Sequence, residues 1–513
     1  MGIGKMALGV GSASLLASCA GGRPTEPARP NVVLILADDI GYGDLSINGS
    51  KTIATPNVER LAARGVRFTD AHAVAATSTP SRYSLLTGHY AWRRDDTGIA
   101  AGDAGMVIRP GQTTVADLFR QSGYATGAVG KWHLGLGDKT GAQDWNGHIA
   151  PGPADIGFDY SYLMAATADR VPCVFVENQR IAGLDAADPI AVSYAEPFAG
   201  EPLGRDHPEM LTKLRPSHGH DMAIVNGISR IGYMKGGRGA WWEDENIADS
   251  IARKAVDFIE RHRDGPFFLY VGTNDVHVPR WPHPRFAGKS GMGPRGDAML
   301  QFDWTVGEIV AALERNGLTD NTMIVLTSDN GPVVDDGYAD RAAELLGDHK
   351  PWGPLRGGKY SIFEAGTRVP MVVTWPGAVE PGVSPALVSH IDLFATMARL
   401  LDAEPPRGAG PDSRDALEAW TGRDTTGRAY VIEAAGTLSA YDGEWKYIAP
   451  SGGPAYQRQT DIELGNSPGE QLYNLREDLG ERHNVAAERP DVVERLRGVI
   501  VAERGAADRD STP

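Results

Sequence analysis

The sequence has little cysteine. Its 513 residues hold two, Cys19 and Cys173, so no disulfide framework organises the fold. Positive charge is also in deficit: 50 Lys and Arg stand against 66 Asp and Glu, for a formal net charge of -16. Nucleic-acid binding needs a basic face that neutralises phosphates, and this balance argues against it. An anionic small substrate stays open, because net charge does not set the field inside a pocket. Long apolar runs are scarce. The opening "MGIGKMALGVGSASLLASCAGG" is too short to cross a bilayer as a helix, and no later stretch is apolar enough to do so.

That opening reads as an export signal over residues 1–19, with Lys5 as its positive start. Leu16-Ala17-Ser18-Cys19 resembles a bacterial lipobox. On that reading Cys19 is lipidated and becomes the first residue, and the Gly/Pro-rich residues 20–29 tether the protein to a membrane. The expected location is the periplasm, outer membrane or cell surface. The other reading is an ordinary cleaved signal with an incidental cysteine.

Apolar residues make up 42% and charged residues 23%, ordinary for a globular chain of one large domain and a smaller one. "NVVLILADDIG" (31–41) is an unbroken apolar run ending in acids and glycine, the pattern of a parallel strand buried on both faces. "TVADLFRQSGYATGAVGKWHLG", "IADSIARKAVDFIERHRDGPFFLYVGTNDVHVP" and "WTVGEIVAALERNGLTDNTMIVLTSDNGP" each read as helix, strand, then polar loop. Such units predict an α/β sandwich with its site at the strand C-termini. Residues 136–240 break into Gly, Pro, Asp and His-rich segments, predicted as an insertion over the site. The expected catalytic domain spans 30–424. Residues 425–505, with alternating "AYVIEAAGTLSAYDGEWKYIAP" and a closing helix, form an α+β subdomain, and 506–513 a polar tail.

Two strand ends carry paired polar residues, Asp38-Asp39 and Asp329-Asn330. Singly, each reads as a cap for the next element. Brought into one crevice, they would repel unless a hard cation such as Ca²⁺ or Mg²⁺ sat between them. Arg82, Lys131, His133, His277 and Lys359 lie on loops after strands or beside Gly-rich turns. Lys and Arg there would neutralise a tetrahedral oxyanion, and the two histidines could move protons.

Ser78-Thr79-Pro80-Ser81-Arg82, running on to Leu85-Leu86-Thr87-Gly88, resembles the signature of the type I sulfatases. Further agreement lies in "PNVVLILADDIGYGDL", "GKWHLG", "DNTMIVLTSDNGP" and "GGKYSIFEAGTRVP". The resemblance implies an alkaline-phosphatase-like α/β/α fold and hydrolysis of sulfate esters, on sulfated oligosaccharides in particular. It implies that a transient maturase oxidises Ser78 to formylglycine (3-oxoalanine), with Pro80, Ser81 and Arg82 as its recognition sequence. It implies one Ca²⁺ held by Asp38, Asp39, Asp329, Asn330 and the modified Ser78. His277 would protonate the leaving alcohol, Lys359 would help bind sulfate, and His133 would deprotonate the second hydroxyl of the hydrated aldehyde. Lys131 and Arg82 would support the nucleophile's end of the site.

Three features depart from the commonest family pattern: serine at 78 in place of cysteine, "EAGTRVP" in place of Glu-Gly-Gly, and "NDVHVPR", similar to a carbohydrate-sulfatase form. The serine resembles the bacterial subset matured by a radical-type enzyme, and an engineered Cys→Ser reads identically. Arg280, His349 and Arg356 are candidate substrate contacts. Trp241 and Trp242 could stack on a sugar or belong to the core. Two other functions stay open from sequence: a phosphatase or phosphodiesterase using Ser78 directly, and an inactive glycan-binding lipoprotein.

Overall fold

The computed structural model describes residues 1–2 and 29–510, with the side chains of 506–510 excepted. Cys19 and the export signal lie outside the described residues. The chain builds one ten-stranded sheet and one four-stranded sheet. The large sheet comprises β1 (Asn31–Ala37), β2 (Gly65–His72), β3 (Ala125–Lys131), β4 (Tyr160–Met164), β5 (Phe175–Glu177), β6 (Arg180–Ile181), β7 (Phe267–Gly272), β8 (Thr322–Ser328), β9 (Met371–Thr374) and β10 (Gly382–Ser389). Their order across the sheet is β10-β2-β9-β8-β1-β7-β3-β4-β5-β6.

β1 sits at the centre because every residue of "NVVLILA" is buried. Such a strand needs cover on both faces, and each fully buried Val, Leu or Ile side chain contributes about 1.5–3 kcal/mol. β1 pairs in parallel with β7 and β8, and β3 continues the parallel run on to β4. β9 is antiparallel to both β8 and β2, so the sheet is mixed.

Helices cover both faces. They include α1 (Pro56–Ala62), α2 (Ser78–Thr87), α3 (Val115–Gln121), α4 (Ile247–Arg261), α5 (Gly293–Arg315) and α6 (Leu393–Leu400). α2 places Pro80 in its first turn, where no intrahelical N–H is missed, and Gly88 ends it at φ 67°. Every residue of α2 except Pro80 is buried. Thr77 is the N-cap residue without a side-chain cap bond, and Ser78 is the first helical residue.

Residues 136–240 are not wholly an insertion. β4, β5 and β6 extend the main sheet, and the remainder forms loops, a two-stranded antiparallel pair of Ala191–Ser193 with Tyr233–Lys235, and a short hairpin of Ile224–Val225 with Ile228–Ser229. Near the C-terminus, β11 (Val431–Ala434), β12 (Leu438–Tyr441), β13 (Trp445–Ile448) and β14 (Gln471–Asn474) make an antiparallel meander against α7 (Pro490–Asp510). α7 runs past 505, into the segment expected as a tail. The small sheet shares its apolar core with Val74, Tyr90 and Ile362 of the large unit. A β-bridge joins Ala434 to Ala75, just before Ser78.

Candidate active site

Ala37 of β1 lies opposite Ser328 of β8, so Asp38-Asp39 and Asp329-Asn330 leave the sheet at the same edge. β3 ends there with Lys131, and the loop after β7 brings His277. α2 begins at this edge with Ser78. Lys359 arrives on the turn 357–360, where its N–H donates to Pro332 O at 2.9 Å and that of Tyr360 to Ala76 O at 2.8 Å. A Cβ on Gly366 would meet Ser361 O at 2.0 Å, whereas Ala365 is accommodated in the core. Glycine is therefore needed at 366 and not at 365, which removes any consequence from the "EAGTRVP" departure.

The Ser78 hydroxyl donates to Asp329 Oδ2 and accepts from Lys131 Nζ at 2.7 Å. Lys131 also donates to Asp38 Oδ1 at 2.6 Å. Arg82, one turn along α2, donates to Asp329 Oδ2 through Nε (3.0 Å) and a terminal nitrogen (2.9 Å), and to the Tyr270 hydroxyl at 2.7 Å. Lys359 bridges Asp39 Oδ2 (2.8 Å) and Asp336 Oδ2 (3.0 Å). Asn330 Nδ2 donates to Asp39 Oδ1 at 2.8 Å, which turns its carbonyl the other way.

Burial, reinforced by Asp329 and Asp39 and only partly relieved by Lys131, pushes the Asp38 carboxyl up to about 8. Burial would also raise Asp329, but Arg82 and Lys131 outweigh it and hold that carboxylate well below its usual range. Burial depresses Lys131, whereas Asp336 and Asp39 overcome it at Lys359 and hold that ammonium charged. Burial together with the nearby lysines keeps both histidines neutral. His133 engages Ala100 O through Nε2 at 3.0 Å, leaving its buried Nδ1 without a partner. His277 engages Val278 O through Nδ1 at 2.7 Å, so Nε2 is the nitrogen turned toward Asp39, 3.8 Å away.

The donor set fits a hard cation. Asp38 Oδ2 and Asn330 Oδ1 are buried oxygens with no hydrogen-bond partner, an arrangement that costs free energy unless something completes it. Asp38, Asp39 and His277 place ligand atoms within 4.8 Å of one another. Among the described residues one other such group exists, His72 with Glu364 and Glu433, but Lys446 already spans its two glutamates at 2.9 and 2.8 Å.

Ser78, His133, His277 and Lys359 open onto one cavity of about 70 Å³. Sequence reasoning missed most of the rest of its wall, including Asp169, Arg170, His220, Asp336 and Tyr360. Asp169 accepts from His220 Nε2 (2.9 Å) and Arg170 (3.0 Å), and Tyr360 donates to Asp336 at 3.2 Å. A signal for Asp169-Arg170 was present. "YSYLMAATADR" is another apolar run ending in charge, the same pattern that marked Asp38 and Asp329.

The three candidate substrate contacts do not come to this cavity. Arg280 is buried, pairs with Asp340 at 2.8 Å and donates to three backbone carbonyls. His349 is sandwiched between Asp44 (2.8 Å) and Thr52 (2.6 Å). Arg356 pairs with Glu463 and stacks on Phe363. Each is spent on holding loops together. Trp242 is core, against Phe175, and Trp241 packs half-buried beside it.

The comparisons agree with this architecture. Residues 30–403 match the family model described as Sulfatase. An N-acetylgalactosamine-6-O-sulfatase of Bacteroides thetaiotaomicron is 54% identical over 474 residues, 92% of each chain. A steryl-sulfatase of Rattus norvegicus is 35% identical over 425 residues, 76% of this chain and 70% of that one. A solved structure from work on glycosaminoglycan metabolism by Bacteroides thetaiotaomicron superposes with a TM-score of 0.92 at 52% identity, covering 93% of this chain and 100% of that one. The chain belongs to the sulfatase family and is a sulfuric ester hydrolase.

Proposed function

We propose that the protein releases sulfate from a 6-O-sulfated N-acetylgalactosamine residue of a glycan, with residue 78 as the nucleophile. The observation that carries this is the placement of Ser78 Oγ, hydrogen-bonded to Lys131 and facing a small cavity whose wall includes Lys359 and Arg170. The similarity to an N-acetylgalactosamine-6-O-sulfatase supplies the sugar. As formylglycine, residue 78 would supply a geminal-diol nucleophile, which serine alone does not offer. Asp38, Asp39, Asp329 and Asn330 would hold Ca²⁺, which contributes Lewis-acid polarisation of a sulfate oxygen.

The chain's own residues do the remaining work. Lys359 and Arg170 bind the sulfate oxygens and offset their charge in a site where water does not screen it. Lys131 orients the residue-78 oxygen. His277 delivers a proton through Nε2 to the departing sugar oxygen. Burial, with Lys359 and Lys131, keeps it neutral in the free cavity, and with Nδ1 donating to Val278 O it takes up a solvent proton at Nε2 when the anionic ester binds and offsets the two lysines. His133 receives a proton at its unpartnered Nδ1.

The first test is the mass of the peptide containing Ser78, from protein made with a serine-type maturase. A loss of about two hydrogens, the change from alcohol to aldehyde, is expected. Sulfate release from N-acetylgalactosamine 6-sulfate and not from its 4-sulfate is the second expected result. An unmodified serine in active protein would sink the formylglycine assignment, and preference for the 4-sulfate would sink the positional one.

A further inference from the structure

The cavity beside Ser78 is walled mainly by polar groups, and Ile99 departs from that pattern. Among the described residues few large apolar side chains are exposed, and Ile99 is one of them, at 48%. It alone of that group lines this cavity. Its backbone is pinned. The adjacent Ala100 donates to Thr79 Oγ1 at 3.1 Å, and its carbonyl meets His133 Nε2 at 3.0 Å. The loop presenting Ile99 is thus tied to the residue after Ser78 and to a histidine of the same cavity. Ile231 lines the cavity as well, half-buried, with its N–H on Asp169 O at 2.8 Å and its carbonyl accepting from Val171 at 3.1 Å.

A singly exposed apolar side chain is ordinary on a surface, but one fixed at the wall of a polar cavity offers apolar contact to whatever binds there, and covering it is favourable. Sulfate and hydroxyl groups are matched by Lys359, Arg170, Asp169 and His220, and none of these suits an isoleucine. A sugar sulfated at C6 carries no methyl there. The apolar group that projects from such a ring is the methyl of a 2-acetamido substituent.

We infer that Ile99, together with Ile231, receives the acetamido methyl group and so selects a 2-acetamido sugar over its 2-hydroxy counterpart. This rests on the substrate reading given above. An apolar contact of about one methyl group discriminates by about tenfold or more.

The test compares kcat/KM on N-acetylgalactosamine 6-sulfate and galactose 6-sulfate for the wild-type enzyme, Ile99→Ser and Val383→Ser. Val383 is 60% exposed on β10 and lies outside the cavity wall. In Ile99→Ser the acetamido-to-hydroxyl preference should fall about tenfold, while Val383→Ser keeps the wild-type ratio. Melting temperatures confirm that both variants are folded. A wild-type ratio in folded, active Ile99→Ser overturns the inference and leaves the 6-O-sulfatase reading intact. A wild-type enzyme that cleaves an aryl sulfate but neither sugar overturns both.

Discussion

Two clusters of buried charge flank the segment that leads into α2, and they are built on opposite principles. Around His72 the charges close into a ring. His72 contacts Asp70 and Glu433, each at 2.8 Å; Lys446 contacts Glu433 at 2.8 Å and Glu364 at 2.9 Å; Arg368 contacts Glu364 at 2.6 Å and Asp70 at 2.9 Å. Every cation has two carboxylates and every carboxylate two cations. Around Ser78 the arrangement stays open. Asp38 Oδ2, Asn330 Oδ1 and His133 Nδ1 lack partners, and a cavity opens beside Ser78 and His133. Burial alone therefore does not mark a functional site, since both clusters are buried. The mark is charge left incompletely paired beside space that a ligand can enter. The closed ring fastens the small sheet to the large one, and the open cluster is the site we propose.

The strongest way to break this contrast is to remove the centre of each cluster. Ser78→Ala should abolish sulfate release, by at least about 10⁴-fold, because it deletes the proposed nucleophile and not a supporting contact. It should fold normally. Residual turnover near the wild-type rate would refute the assignment of residue 78. Lys446→Met should act the other way round. It leaves Glu364 and Glu433 buried without their shared cation, which costs about 3–5 kcal/mol of stability, while sulfate release per folded molecule stays at the wild-type rate. Urea unfolding midpoints measure the first effect and assays below the unfolding transition the second. Lost turnover with unchanged stability would place the ring in the chemistry.

The next effect down concerns the open atoms. If Asp38 Oδ2 and Asn330 Oδ1 await a cation, Ca²⁺ at a hundredfold excess over its Kd should stabilise the chelator-treated protein by about 2.7 kcal/mol. That corresponds to a Tm rise of about 2–3 °C for a chain of this length. Asp39→Asn should abolish the rise, whereas Glu433→Gln, on the closed ring, should keep it. A Tm indifferent to Ca²⁺ would mean that the open cluster is completed in another way.

The sequence made the open cluster more legible than the closed one, for a physical reason. Asp38, Asp329 and Lys131 each end an apolar run, and parallel strands deliver their ends to one edge, so adjacency follows from topology. The ring joins β2, the loop after Lys359 and the small sheet, and no period or spacing predicts that Glu433 meets His72. The same limit explains Arg280, His349 and Arg356. Basic loop residues near the motifs resemble substrate contacts, and only the fold shows Asp340, Asp44 and Glu463 already holding them. The broken pattern of 136–240 concealed β4 to β6 because those strands are short and flanked by glycine and proline. With β4 unrecognised, the charged end of "YSYLMAATADR" was not read as those of Asp38 and Asp329 were.

The smallest effect tests whether the ring titrates as a structural unit. Burial alone would lower the His72 pKa, but Glu364 and the hydrogen bonds to Asp70 and Glu433 raise it to about 9 from 6.5. A group with a raised folded pKa stabilises fully below its unfolded value and loses that contribution as pH climbs through the folded one. Glu481, whose Oε2 accepts from the Glu364 N–H at 2.7 Å, works in the same sense. Burial is the main cause that lifts its carboxyl to about 8, so the folded protein keeps a proton that the unfolded chain releases. Glu364, Glu433 and Asp70 are held low and lose their contribution only in acid. Stability should therefore fall between pH 6.5 and 9, by on the order of 2 kcal/mol for the His72 share. His72→Gln should be less stable than wild type at pH 6.5, and the two melting curves should converge by pH 9. Parallel curves across that range would mean that His72 is neutral in the folded state and the ring is held by Lys446 and Arg368 alone.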